Sequence, residues 1–233
     1  MGTGKQVKVV IFASYSEGVY EMLQALLGAG TSVAHVAFAP ATIRRLSWKK
    51  RLKNLLTYRA LNEPSALLRK HGVPFSFIES HNNAAAAELL IDVDVLLLYG
   101  TVIIKERILA LPRIGVLNAH SSLLPKYRGS RAAFWMLYHN EPEYAGVTIH
   151  WVTPGLDDGD VFLQEPIKVG TQETPESLRQ KSAPIAGRLF AECLSRIGHG
   201  DILRIPQDTH EATRYGRPTA EDKREFMKRR HAR

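Results

Sequence analysis

Asn118 and His120 are a pair of residues in this 233-residue sequence whose types and spacing could do chemistry. They sit two positions apart at the end of an apolar run, so on a β-strand their side chains point to the same side. An amide beside an imidazole offers the pair of hydrogen-bond donors that a developing oxyanion requires. The histidine can also exchange a proton near neutral pH. The same two residues could instead do no more than satisfy the backbone of the loop that follows. Further along, His150 lies in a second β-rich run and reads as a structural side chain. The other histidines show no metal-ligand spacing on one helix face, so no metal is expected.

The elements that must hold these residues follow from periodicity. Residues 7–13 (VKVVIFA) are a β-rich apolar run, and Tyr20, Leu23, Leu26 and Leu27 then recur at helical spacing until Gly28 and Gly30. With a second strand at 32–39, this is the start of a parallel sheet with crossover helices. Trp48, Leu52 and Leu55 share one helical stripe and Arg45, Lys49 and Lys53 an adjacent one, which predicts an amphipathic helix with a charged flank. Helices are expected at 64–71, 83–90, 103–111 and 130–138, and strands at 75–78, 93–99, 115–120, 147–152 and 161–169. Thr174 and Pro175 supply an N-cap and first-turn proline for a long helix to Gly198. The polar, basic stretch after Arg204 reads as an extension packed on the domain, dividing the chain into 1–203 and 204–233. Asn118 and His120 thus fall at the carboxyl end of a buried strand, where sheets of this kind form sites.

Composition narrows the field. With 45% hydrophobic and 23% charged residues the chain can bury a core and is not a disordered or collagen-like polymer. No apolar run reaches the roughly 18–20 residues of a membrane span. The first six residues lack a signal-peptide segment, and Gln6 fails the myristoylation pattern. Cys193 is the single cysteine, so nothing calls for an oxidising compartment, and a cytoplasmic protein is expected. The formal charge of +8 is local. Residues 44–59 carry Arg44, Arg45, Lys49, Lys50, Arg51, Lys53 and Arg59 with no acid, and the stretch from Glu211 onward is also basic. Clustered bases favour phosphate-bearing ligands. A plain solvated surface would look the same.

The run from Asn118 through Ala119, His120, Ser121, Ser122, Leu123, Leu124 and Pro125 is followed by Gly146-Val147-Thr148-Ile149-His150 and then by Leu156-Asp157 before Gly159. In that order these motifs resemble the formyl-tetrahydrofolate-dependent formyltransferase family, over roughly residues 7–170 with a weaker echo at 215–226. The resemblance implies an α/β, Rossmann-like formyltransferase fold: a mostly parallel twisted sheet with helices on both faces. It implies a catalytic triad at Asn118, His120 and Asp157 and 10-formyltetrahydrofolate as co-substrate. Asp157 would raise the imidazole's pKa and help remove the amine's proton. The folate would be held largely by main-chain groups of Tyr99, Gly100, Thr101, Val102 and Ile103, with Leu124, Thr153 and Gly155. Ser122, Arg128, Arg131, Lys49 and Lys53 are the candidates to meet the acceptor. Asp157, Asp158 and Asp160 could suggest a calcium loop, but three carboxylates alone do not satisfy its ligand count and spacing.

The likeness also bears on the acceptor. Glycinamide ribonucleotide formyltransferases carry a Gly-rich first loop for the substrate phosphate, and here it reads Phe12-Ala13-Ser14-Tyr15-Ser16-Glu17-Gly18. Methionyl-tRNA formyltransferases add a C-terminal β-domain, for which too little chain is expected to remain. Relatives that hydrolyse formyl-tetrahydrofolate carry an extra N-terminal domain, which is not expected here ahead of residue 7. The expected acceptor is therefore a small amine, foremost a nucleotide-linked amino sugar; the ending from Arg217 to Asp222 resembles the short tails of that group. Other small amines, or a methionyl-tRNA-like acceptor, stay open. Nucleic acid and membrane are not expected partners, and a homodimer is compatible. A non-catalytic RNA-binding module using the basic helix is the competing class, and would bind with a steep salt dependence. A nicotinamide oxidoreductase is disfavoured, because no G-x-G-x-x-G follows the first strand.

Overall fold

The structure, a computed structural model, describes residues 5–39 and 63–231. The basic segment at 44–59, with Lys49 and Lys53, lies outside the described residues. A seven-stranded sheet runs in the order β3-β2-β1-β4-β5-β7-β8. Strands β1 (Val9–Ala13), β2 (His35–Phe38), β3 (Phe75–Phe77), β4 (Val95–Tyr99) and β5 (Gly115–His120) are parallel to one another. The last two, β7 (Gly146–Trp151) and β8 (Val161–Pro166), join antiparallel. A short β6 (Arg128–Gly129) belongs to a separate two-stranded sheet described below.

The unbroken apolar character of β1 and β4 follows from burial on both faces. Val9, Ile11 and Leu97 point into a core with α1 (Glu17–Gly28) and α6 (Pro175–Gly198), which contributes Phe190 and Cys193. Val10, Phe12, Leu96 and Val116 point to the opposite side, toward α3 (Ala84–Glu88) and α4 (Glu106–Leu109). A further helix, α2 (Pro64–Lys70), adds Leu67 and Leu68 to the first core. Helices α1 and α6 approach closely at Gly187, where a Cβ would collide with the Met22 carbonyl oxygen. Thr174 caps α6 as its sequence suggests: its hydroxyl accepts from Ser177 N at 3.0 Å and Pro175 fills the first turn.

Several elements are shorter than periodicity implies. The second strand begins at His35 rather than at 32, and the helix expected at 103–111 is the single turn α4. Helix α5 (Ala132–His139) starts two residues late. The reason is a partner far away in sequence: Gly129 lies in β6, which pairs in parallel with β9 (Arg214–Tyr215), and Ser130 N donates to Tyr215 O at 2.9 Å. The stretch after Arg204 packs on the rest of the protein. Ile205 bridges Val161, Tyr215 stacks on Tyr127 at 5.2 Å, and α7 (Ala220–His231) buries Phe226 5.0 Å from Phe134.

Candidate active site

Asn118 and His120 leave the carboxyl end of β5 on the side that also carries Val116. Antiparallel pairing sets His150 of β7 directly opposite Asn118. His150 Nδ1 lies 2.9 Å from Trp151 O, and a carbonyl can only accept, so this nitrogen carries the proton. Nε2 is then an acceptor and takes an N–H of Asn118 Nδ2 at 3.0 Å. This fixes which end of the amide faces which way and leaves the second N–H of Asn118 for another acceptor. His150, read from sequence as structural, is therefore part of the site. The signal available was its Gly-x-x-x-His placement on a strand beside β5, but strand neighbours do not appear in a sequence.

The same reasoning assigns His120. Its Nε2 donates to Tyr127 O at 2.8 Å, so in the neutral ring Nδ1 bears the lone pair. Nδ1 faces Asp157 Oδ2 at 3.5 Å, while Asp157 Oδ1 lies 3.6 Å from His150 Nε2. Asp157 sits in the left-handed region, φ 50°, in the loop between β7 and β8, and its Oδ2 also accepts from Gly129 N at 2.8 Å. Burial on its own would raise the Asp157 pKa. When protonated, His150 and His120 donate toward or attract the carboxylate, and with the Gly129 N–H they outweigh burial and hold the carboxyl at about 2. For His120 the balance goes the other way. Burial holds the imidazole below its ordinary range, although Asp157 pulls it upward. The expected upward pull of Asp157 is present, but burial of the ring outweighs it and the net direction is downward. At neutral pH the site presents a neutral imidazole lone pair and a carboxylate, two acceptors placed to receive one N–H donor between them.

The loop after β4 lies one strand over from Asn118. Tyr99 packs its ring on the α1 and α6 side, where burial pushes its phenol up, so only its main chain serves the edge. Gly100 turns the chain at φ 64°, where a Cβ would stand 3.1 Å from Ser14 Oγ. Thr101 and Val102 are half-buried and Ile103 is exposed. Asn82, which sequence reasoning missed, shapes this loop. Its Nδ2 donates to Ile103 O at 2.9 Å and its Oδ1 accepts from Lys105 N at 2.6 Å. On the other side Thr153 Oγ1 accepts from Gly155 N at 3.3 Å and donates to Asp158, closing a tight turn before Asp157.

Two expected ligand-binding residues, Ser122 and Leu124, are buried and bonded within the protein. Ser122 is fully buried and its hydroxyl donates to Lys126 O at 2.7 Å, so it braces the loop rather than meeting an acceptor. Leu124 is buried and both its main-chain groups are spent: N donates to Thr148 Oγ1 at 3.1 Å and O accepts from Gln164 Nε2 at 2.8 Å. Arg131 is exposed and left-handed, φ 63°, at the start of α5. Arg128 is half-buried and bonded to Gln207 Oε1 at 2.7 and 3.1 Å. Among the described residues no group of three or more His, Cys, Asp or Glu could hold a metal ion, and no helix is long and apolar enough to cross a membrane.

The site therefore occupies the carboxyl edge of an α/β sheet with a switch in strand order between β1 and β4, the position at which this class of fold binds its ligands. Residues 7–194 match the family model described as Formyl transferase, and the chain belongs to that family. It is 34% identical over 208 residues to the methionyl-tRNA formyltransferase of Thermotoga maritima, an alignment covering 88% of this chain and 63% of that protein. The chain thus spans less than two thirds of that relative's length. Among solved structures it resembles glycinamide ribonucleotide transformylase 1 from Symbiobacterium toebii, with TM-score 0.65, 24% identity and coverage of 87% of this chain and 95% of that one. It also resembles an N-formyltransferase from Helicobacter canadensis solved with folinic acid and dTDP-3-aminofucose, with TM-score 0.63, 18% identity and coverage of 91% and 71%. These two likenesses share the fold.

Proposed function

We propose that this chain is a cytoplasmic N-formyltransferase that moves a formyl group from 10-formyltetrahydrofolate to the amine of a nucleotide-linked amino sugar. The observation that carries the reading is the convergence of Asn118, His120 and Asp157 at one sheet edge, with a donor and two acceptors in complementary places. The remaining N–H of Asn118 would stabilise the oxygen of the formyl group as its carbon becomes tetrahedral. His120 Nδ1 and the Asp157 carboxylate would receive the attacking amine's N–H between them. Nδ1 takes the proton, and Asp157, ionised down to about pH 2, stabilises the imidazolium that forms. The imidazolium gives the proton to the folate nitrogen as its bond to the formyl carbon breaks and tetrahydrofolate leaves. Activity should fall on acidification below the ordinary imidazole range, because burial delays protonation of His120 to lower pH. The folate would lie along residues 99–103 and 153–155. Arg128 and Arg131, on the loop that supplies Gly129, would meet an anionic acceptor.

A second acceptor, methionyl-tRNA, is favoured by the 34% identity to methionyl-tRNA formyltransferases. The deciding experiment follows tetrahydrofolate release from 10-formyltetrahydrofolate with nucleotide-linked amino sugars, methionyl-tRNA, glycinamide ribonucleotide or buffer alone. Release dependent on an amino sugar supports the proposal. Release with methionyl-tRNA replaces the acceptor, release in buffer replaces transfer by hydrolysis, and no release with any of them contradicts formyl transfer.

A further inference from the structure

The loop that carries Asp157 has a partner that neither the motifs nor the family likeness assigns. Gln207 is half-buried in the stretch between α6 and β9, and every polar atom of its amide is engaged. Nε2 donates to the Asp157 main-chain oxygen at 3.0 Å and to Gly159 O at 2.7 Å. Oε1 accepts from Arg128 Nε at 3.1 Å and Nη2 at 2.7 Å. The amide can be placed only this way round, since carbonyls need its N–H groups and the guanidinium needs its oxygen. One side chain thus ties two segments that both act on the Asp157 carboxylate: the loop that bears it, and the Arg128–Gly129 strand whose N–H holds its Oδ2.

That loop needs holding. Asp157 is a non-glycine residue at φ 50°, a conformation costing free energy that its surroundings must supply. Gly159 is pressed on its other side against the end of β7, where a Cβ would collide with Trp151 O. Gln207 is in turn anchored on both flanks, by the Val161–Ile205 bridge before it and by the β6–β9 pairing after it.

Resting on the formyl-transfer reading above, we infer that Gln207 is a positioning residue: its amide clamps Asp157 in catalytic register through the loop carbonyls while aiming Arg128 at the acceptor through the guanidinium. The two halves of the amide separate by substitution. In Gln207→Glu the carboxylate keeps Arg128 but faces two carbonyls with no hydrogen to donate. In Gln207→Lys the ammonium keeps the donors but repels Arg128.

Steady-state kinetics with whichever acceptor the wild type uses, together with amide hydrogen exchange of the uncut chain, test this directly. Gln207→Glu should lose about tenfold to a hundredfold in kcat, in the range of a displaced proton-transfer group, with acceptor KM within about twofold. Gln207→Lys should raise acceptor KM about fivefold or more and spare kcat. Exchange across 155–160 should accelerate in Gln207→Glu and not in Gln207→Lys, with melting temperatures of both close to wild type. The same kcat and KM changes in both variants, or unchanged exchange in Gln207→Glu, would overturn the clamp. If the wild type transfers no formyl group at all, the function proposal fails, and the exchange comparison still decides the clamp by itself.

Discussion

The site is built from two kinds of support, and they differ in how position is enforced. Asn118, His120 and His150 stand on β5 and β7, where ladder hydrogen bonds and a core on each side set every side chain by register. Asp157 stands on an irregular loop, held by single contacts: Gly129 N to its carboxylate and Gln207 to its carbonyl. Strand-borne groups are rigid by default. A loop-borne group must be made rigid by contacts from elsewhere, and here Gly129 of β6, itself paired with β9, and Gln207 supply them.

Breaking that contrast should give graded effects. Asp157→Asn keeps size and Gly129 N as a partner but removes the charge that stabilises a protonated His120; kcat should fall by about a hundredfold or more with folate binding retained, measured by turnover and by folate titration. Gly129→Ala strikes the loop support. Gly129 lies at φ 97° and a Cβ would collide with the Tyr215 carbonyl oxygen, so β6 and β9 must part. Stability should drop by about 2 kcal/mol or more and kcat by about tenfold, read by denaturant unfolding and steady-state rates. His150→Phe strikes the strand support. It removes the acceptor that orients Asn118 yet leaves the β5–β7 ladder, so kcat should fall by roughly three- to tenfold with little change in acceptor KM. If Gly129→Ala were silent while His150→Phe abolished turnover, the order of the two supports would be reversed.

How far the sequence disclosed this follows the same line. The apolar runs of β1 and β4, the Thr174–Pro175 cap and the shared side of Asn118 and His120 depend on residues close together, and each was legible. The late start of α5 depends on pairing with Tyr215, and the clamp on contacts spanning 48 to 79 residues, and no local pattern announces either. Ser122 and Leu124 looked like ligand contacts because their position in a motif says nothing about whether a side chain turns inward or a carbonyl is already taken. The direction of the His120 pKa was missed for a related reason. A neighbouring carboxylate is visible as a motif, whereas burial of the ring is a property of the fold.

The most direct test of the account is a single-turnover measurement of formyl transfer by His120→Ala beside the wild type, with folate and acceptor both saturating. If the lone pair at Nδ1 receives the amine's proton, the transfer step should slow by at least about a hundredfold with the fold and folate affinity intact. A folded, folate-binding His120→Ala protein that transfers formyl at the wild-type rate would contradict it.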